Sequence, residues 1–224
     1  MASIFTLDVS GSLLAVLFGI ITFYFGLQLW WFFMAVLIDF LVLSAIATKA
    51  REEKKAKMKG YEKVRSWKNV VANGIVPVTI VLVYFVFVGY VGISPSNSQI
   101  IVYAFVASLG AVTADKFASE FGVLYGFPKD IVTGAVVRRG TSGGITWMGT
   151  LMGLIGSLLI GLTVLSIGAS FLVFDVIVIA GVAGNVVDSV LGHFEEKGIG
   201  NKYTSNIMCA VTGALFCAVV LLVT

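Results

Sequence analysis

The stretch "QIIVYAFVASLGAVTADKFASEFG" (residues 99–122) is apolar for most of its length and then sets Asp115, Lys116 and Glu120 within six residues. A membrane-spanning helix needs roughly 20 mainly apolar residues. Residues 99–119 meet that length, so the charges fall at one end of a span. Ionisable residues in such a segment are costly and mark functional candidates.

The composition agrees with a spanning helix. The chain has 224 residues, 58% hydrophobic and 12% charged, with a mean hydropathy of +1.02. A soluble domain carries about 25% charged residues. The expected fold is therefore all-α, a polytopic membrane helix bundle forming one transmembrane domain over 1–224. Seven spans are expected, at about 11–28, 29–48, 69–92, 99–119, 145–165, 169–191 and 204–223. The first two require a tight hairpin near Gly26–Gln28; without it the count falls to six. The N-terminus has no basic stretch and no small-residue cleavage site, so it does not read as a signal peptide. Cys209 and Cys217 lie in the last apolar segment and read as packing residues. His193 reads as an ordinary polar loop residue.

Lys and Arg give the orientation. Nine of the fifteen lie in "KAREEKKAKMKGYEKVRSWK" (49–68), where three Glu leave a net +6. The other six lie in or beside 120–144 and 192–203, while "GISPSNS" and "SIGAS" carry no charge. The expectation is a cytoplasmic N-terminus, an external C-terminus and a cytoplasmic site. Such a site can take a soluble reagent from the cytoplasm and an apolar one from the bilayer.

Helical spacing sorts the polar residues into faces. Thr113, Lys116 and Glu120 share one face, and Asp115 and Ser119 a neighbouring one. Lys116 and Glu120 could simply pair at the membrane surface. Asp115 has no local partner, which points to a metal or ligand. In "AGNVVDSVLG" (183–192), Asn185, Asp188 and Ser189 form one stripe, either a ligand face or a polar helix seam. Carboxylates from two helices, with waters and phosphate oxygens, make a Mg²⁺ site. Asp115 and Asp188 are the expected metal pair, with Glu120 as a further ligand. In "VVRRGTSGGITWMG" (136–149), Arg138 and Arg139 precede Gly140, Thr141, Ser142, Gly143 and Gly144 and then a helix start. Arginines, glycines and a helix N-terminus suit phosphate; the other reading is a basic turn. Arg65, Asn69 and Asn73 share a face where the basic loop enters the third span, suiting a nucleotide or an interfacial cap. Asn206 is a further polar candidate. Gly149, Gly153, Ser157 and Gly161 repeat small residues at i+4 and read as helix packing. Asp39 and Asp175 read only as polar helix contacts.

"ADKFASEFG", "RRGTSGGIT" followed by "GT", "GNVVDSVLG" and "VVANG" together resemble the integral membrane family that includes plant phytyl-phosphate kinase of the vitamin E pathway. The resemblance runs from about Arg65 to the C-terminus. Asp115, Glu120, Gly143, Gly144, Asn185, Asp188 and Asn73 fall on its polar and glycine positions. Its first motif is closer to A-D-T-W-A-S-E, so Lys116 stands where Thr is usual and Phe117 where Trp is usual. The family is distantly similar to dolichol kinase and phosphatidate cytidylyltransferase. The resemblance implies phosphorylation of a polyprenyl monophosphate, phytyl or geranylgeranyl, to its diphosphate, with CTP as donor.

Phosphoryl transfer needs positioning and charge neutralisation more than a strong base. The expected roles follow: Asp115 and Asp188 on Mg²⁺, Glu120 orienting Lys116 or holding an ion, and arginines and loop on phosphate. The expected partners are a lipid phosphate from the bilayer and a cytoplasmic nucleotide, with no nucleic acid and a possible homo-oligomer. Two alternatives remain, a cytidylyltransferase on a lipid phosphate and a small transporter. A transporter would want midplane charges and an internal repeat, and no repeat is evident.

Overall fold

Apolar sequence in lipid must satisfy its backbone hydrogen bonds internally, which leaves helices as the natural element here. The computed structural model describes residues 7–55 and 64–224. It contains α1 (Val9–Phe25), α2 (Trp30–Lys49), α3 (Glu52–Lys55), α4 (Trp67–Val86), α5 (Pro95–Gly122), α6 (Trp147–Gly161), α7 (Phe171–Glu195) and α8 (Lys202–Val223). A two-stranded hairpin pairs β1 (Lys129–Asp130) with β2 (Gly144–Ile145). The chain is a polytopic membrane helix bundle. Six of its helices, counting the short turns at their ends, are long and apolar enough to cross a bilayer. At 17 residues, α1 spans about 25 Å against a hydrocarbon thickness of about 30 Å. The expected break falls at Gly26–Leu29, where one 3₁₀ turn separates α1 from α2.

The helix ends carry matching chemistry. Asp8 accepts from the Gly11 N–H at the start of α1. Ser94 caps α5, with Pro95 at its first position, where a missing N–H costs nothing. Asn201 and Thr204 form a reciprocal capping box at α8. The charged end of α5 remains helical three residues beyond the expected 119, to Gly122.

The centre of the bundle is α5, buried without interruption from Val102 to Ala114. It packs against α2, α4, α6, α7 and α8. Small residues permit this crowding, because packing rather than water exclusion holds helices together in lipid. A Cβ on Gly184 would lie 2.6 Å from both the Ala111 Cβ and the Cys209 carbonyl. One on Gly156 would lie 2.8 Å from the Thr113 carbonyl. The i+4 stripe of α6 meets both neighbours: Gly149 and Gly153 face α5, while the Ser157 hydroxyl donates to the Val178 carbonyl of α7 at 3.0 Å. Cys209 and Cys217 are free, buried thiols in this packing.

One end of the bundle gathers the polar sequence. The Asp8 N–H donates to the Arg65 carbonyl at 2.9 Å, which holds the start of α1 to the start of α4. The ends of α2, α5 and α7 and the starts of α6 and α8 lie at this end too, together with the hairpin. Lys57, Lys59 and Lys63 of the basic loop lie outside the described residues. At the bundle exterior, Asp39 and Asp175 are both exposed, away from this end. Laterally, α2 and α4 each pack on α5 but make little contact with each other, and α1 lies across both.

Candidate functional site

A cavity of about 540 Å³ opens at the polar end. Its walls come from α1, α2, Lys55, α4, α5, the 140–146 loop, α6, α7 and α8. Asp115, Lys116, Glu120, Arg65, Asn69, Asn73, Asn185, Asp188, Ser189, Asn206 and the run Gly140–Gly144 all line it. Arg138 and Arg139 do not; both side chains are exposed. Thr113 does not either: its hydroxyl donates to the Leu109 carbonyl at 2.7 Å inside α5.

Asp115 of α5 and Asp188 of α7 come together as neighbours in the cavity wall. Two carboxylates side by side repel unless something cationic or a proton lies between them. Asp188 Oδ1 is buried and has no hydrogen-bond partner. Six buried side-chain polar atoms among the described residues are in that position, and five line this one cavity. They are Ser44 Oγ, Arg65 Nε, Asn69 Oδ1, Lys116 Nζ and Asp188 Oδ1. Buried polar groups are nearly always satisfied, so these atoms give the cavity a polar lining that water or a polar ligand can satisfy.

Beside the acidic pair, three cations converge on Glu120. Lys55 Nζ lies 2.7 Å from Oε2, while Arg65 and Lys116 lie 2.8 and 3.0 Å from Oε1. Lys116 is close but poorly aligned, which leaves its ammonium without a formal acceptor. Lys55 is 2% exposed and also donates to the carbonyls of Ala47 and Thr48 at the end of α2. It closes that helix while pinning the basic loop to α5. Both Glu120 oxygens are thereby engaged by cations. The expected third metal ligand is thus a cation organiser in this arrangement. No three His, Cys, Asp and Glu side chains cluster as a metal group among the described residues. Two carboxylates with an orphaned oxygen still fit a hard cation held chiefly by water and phosphate oxygens.

The glycine loop sits against α7. Gly143 has φ +76°, and a Cβ there would lie 2.6 Å from the His193 N–H nitrogen. The N–H groups of Thr141 and Gly144 donate within the loop, and that of Ser142 donates to Glu196 Oε1 at 2.9 Å. These amides are already used, so the loop contributes a wall more than an anion cradle. The reason Arg138 and Arg139 leave the site is the hairpin. Pairing Lys129–Asp130 with Gly144–Ile145 puts both arginines in the connecting turn, facing away from the helices.

Several contacts here were not legible from sequence. Asn206 Nδ2 donates to Asn73 Oδ1 at 2.9 Å and ties α8 to α4 across the cavity. Ser205 donates to Glu195, and both line the wall. His193, expected to be an ordinary loop residue, is buried at the end of α7 with Nδ1 2.7 Å from Asp130 Oδ2. Asp130 also accepts from the Val132 and Thr133 N–H groups and the Thr133 hydroxyl. The Thr133 N–H, and then His193, hold its carboxyl well below the usual carboxylate range.

A depressed folded-state value means Asp130 stabilises the hairpin above an ordinary Asp value of about 3.9. That contribution fades as pH falls below it toward the folded-state value. Asp130→Asn is therefore expected to speed tryptic cleavage at the exposed Arg138 and Arg139 by about tenfold at pH 7. Comparing the accessibility of that turn in the two proteins from pH 7 to pH 3, by brief hydroxyl-radical labelling, checks the sign: the difference should shrink with acid.

Residues 2–222 match the family of integral membrane proteins DUF92. An uncharacterized membrane protein of Methanocaldococcus jannaschii is 36% identical over 219 residues, covering 93% of this chain and 83% of that one. Protein PGR of Arabidopsis thaliana is 28% identical over 208 residues, covering 84% of this chain and 71% of that one. No solved structure matches the chain. Since the match takes in every helix and every wall of the cavity, the chain belongs to the DUF92 family of integral membrane proteins.

Proposed function

We propose that this protein is a membrane phosphotransferase that moves the terminal phosphoryl group of a nucleoside triphosphate, CTP by the sequence resemblance, onto a polyprenyl monophosphate. The observation that supports the reading is one cavity lined both by an acidic pair, Asp115 and Asp188, and by three cations gathered on Glu120. An acceptor phosphate oxygen forms the new P–O bond as the bond to the donor's β-phosphate bridging oxygen breaks. A triphosphate (4−) and a monoester dianion give a nucleoside diphosphate (3−) and a diphosphate ester (3−), with no proton to place. A histidine base is therefore unnecessary.

Asp115 and Asp188 would hold Mg²⁺, which when bound neutralises phosphate charge in the transition state. Lys116 and Arg65 face the cavity and would contact phosphate oxygens, with Glu120 fixing their position. Asn69, Asn73, Asn185, Ser189 and Asn206 would fix donor and acceptor orientation. The basic end of the bundle is read as cytoplasmic, placing the N-terminus and site inside and the C-terminus outside. The test is mass analysis of products from purified protein, CTP, Mg²⁺ and phytyl monophosphate. Phytyl diphosphate with CDP is expected. A CDP-lipid with pyrophosphate would make it a cytidylyltransferase instead, and no product would remove the reading.

A further inference from the structure

The cavity does not end at its charges. From Thr48, which donates to Glu120 at 3.3 Å, its α2 wall continues through Leu41 and Phe40 to Leu37. Eleven residues of helix separate Thr48 from Leu37, a depth of about 16 Å, roughly half the hydrocarbon thickness. The opposite wall is Val70 and Gly74 of α4, and the back is Val112 of α5. Since α2 and α4 barely meet, this arm would open to lipid if α1 were absent. Ala15 and Phe18 of α1 close it. Phe18 is only 9% exposed, and its ring sits so near Gly74 that a Cβ there would be 2.7 Å away.

We propose that α1 is the outer wall of a hydrocarbon chamber, and that Phe18, seated against Gly74, sets the chain length of the phosphate-headed lipid that the site accepts. One end of the cavity presents cations, and the deep end, beyond Ser44, is apolar at Leu37, Phe40 and Leu41. A single-chain phosphate monoester matches both ends. The headgroup assignment rests on the phosphotransfer reading; the chamber and its length limit do not depend on the reaction.

The test is thermal stabilisation of the full-length protein in detergent by n-alkyl monophosphates from C8 to C20, at fixed mole fraction in the micelle and without nucleotide. At fixed mole fraction the micelle offers the tail the same apolar surroundings, so preference reports fit to the chamber. Forcing extra methylenes against a packed wall costs enough to change affinity by about tenfold. Wild type should show an optimum length. Phe18→Ala should move it several carbons longer, and Ala15→Phe should move it shorter; Phe18→Leu should fall between. Gly19→Leu, which points into open space, should leave it unchanged. The proposal is overturned if the optimum stays fixed in Phe18→Ala and Ala15→Phe, or if wild type shows none. Equal stabilisation by n-alkanols of the same lengths overturns the phosphate end of it. A moving optimum in a protein that makes no diphosphate sustains the chamber and removes the reaction.

Discussion

Glu120→Ala is expected to cost about 3–5 kcal/mol of stability, the usual range when one partner of a buried ion pair is removed. The carboxylate is 9% exposed and faces Lys55, Arg65 and Lys116, which are 2%, 17% and 8% exposed. Removing it leaves three cations close together with no counter-charge. Lys55 keeps the Ala47 and Thr48 carbonyls and so retains partial satisfaction. Lys116 has no carbonyl acceptor of this kind to fall back on. Glu120→Gln keeps the shape but not the charge and should fall between the two proteins. Unfolding in detergent by a graded denaturant series measures the loss. A Glu120→Ala protein within about 1 kcal/mol of wild type would mean the cluster is not a working ion network, since that is the range of exposed surface pairs.

Asp115→Asn and Asp188→Asn are expected to move stability and activity in opposite directions. Each keeps the side-chain volume and relieves the repulsion between two adjacent buried carboxyl groups, so the apo protein should become more stable by about 1–2 kcal/mol. Under the phosphotransfer reading, each should lose at least about 100-fold in product formation, comparable to deleting a main transition-state contact. Stabilisation with lost activity is the signature of a strained functional pair. Destabilisation of both variants would instead make the pair a structural hydrogen bond between α5 and α7. Unfolding temperature and product rate on the same preparations separate the two.

The helices were legible because period-3.6 spacing and span length are local properties of the chain. The same spacing placed Asp115 and Asp188 on inward faces at the same end of their helices, where α5 and α7 join them. Their meeting required only the bundle. Glu120 was visible as a charge, but its partners were not. Lys55 and Arg65 reach it from the end of α3 and the approach to α4, and no spacing rule connects positions 55, 65 and 120. His193 and Asp130 are likewise 63 residues apart, so their bond is set by hairpin docking alone. Arg138 and Arg139 mislead for the opposite reason. They adjoin a glycine run that lines the cavity, but adjacency along a turn says nothing of direction, and the β1–β2 pairing points them outward. The α1 wall left only a weak trace, since an apolar helix reads the same whether it faces lipid or closes a chamber.

Transfer of label from γ-³²P-CTP to phytyl or geranylgeranyl monophosphate, with Mg²⁺ varied from none to saturation, tests for the phosphotransfer itself. Mg²⁺-dependent labelled diphosphate is expected from the wild-type protein, with at least about a 100-fold loss in Asp115→Asn and Asp188→Asn. Labelled product that forms equally well in both variants would contradict it, as would no labelled diphosphate from folded wild-type protein.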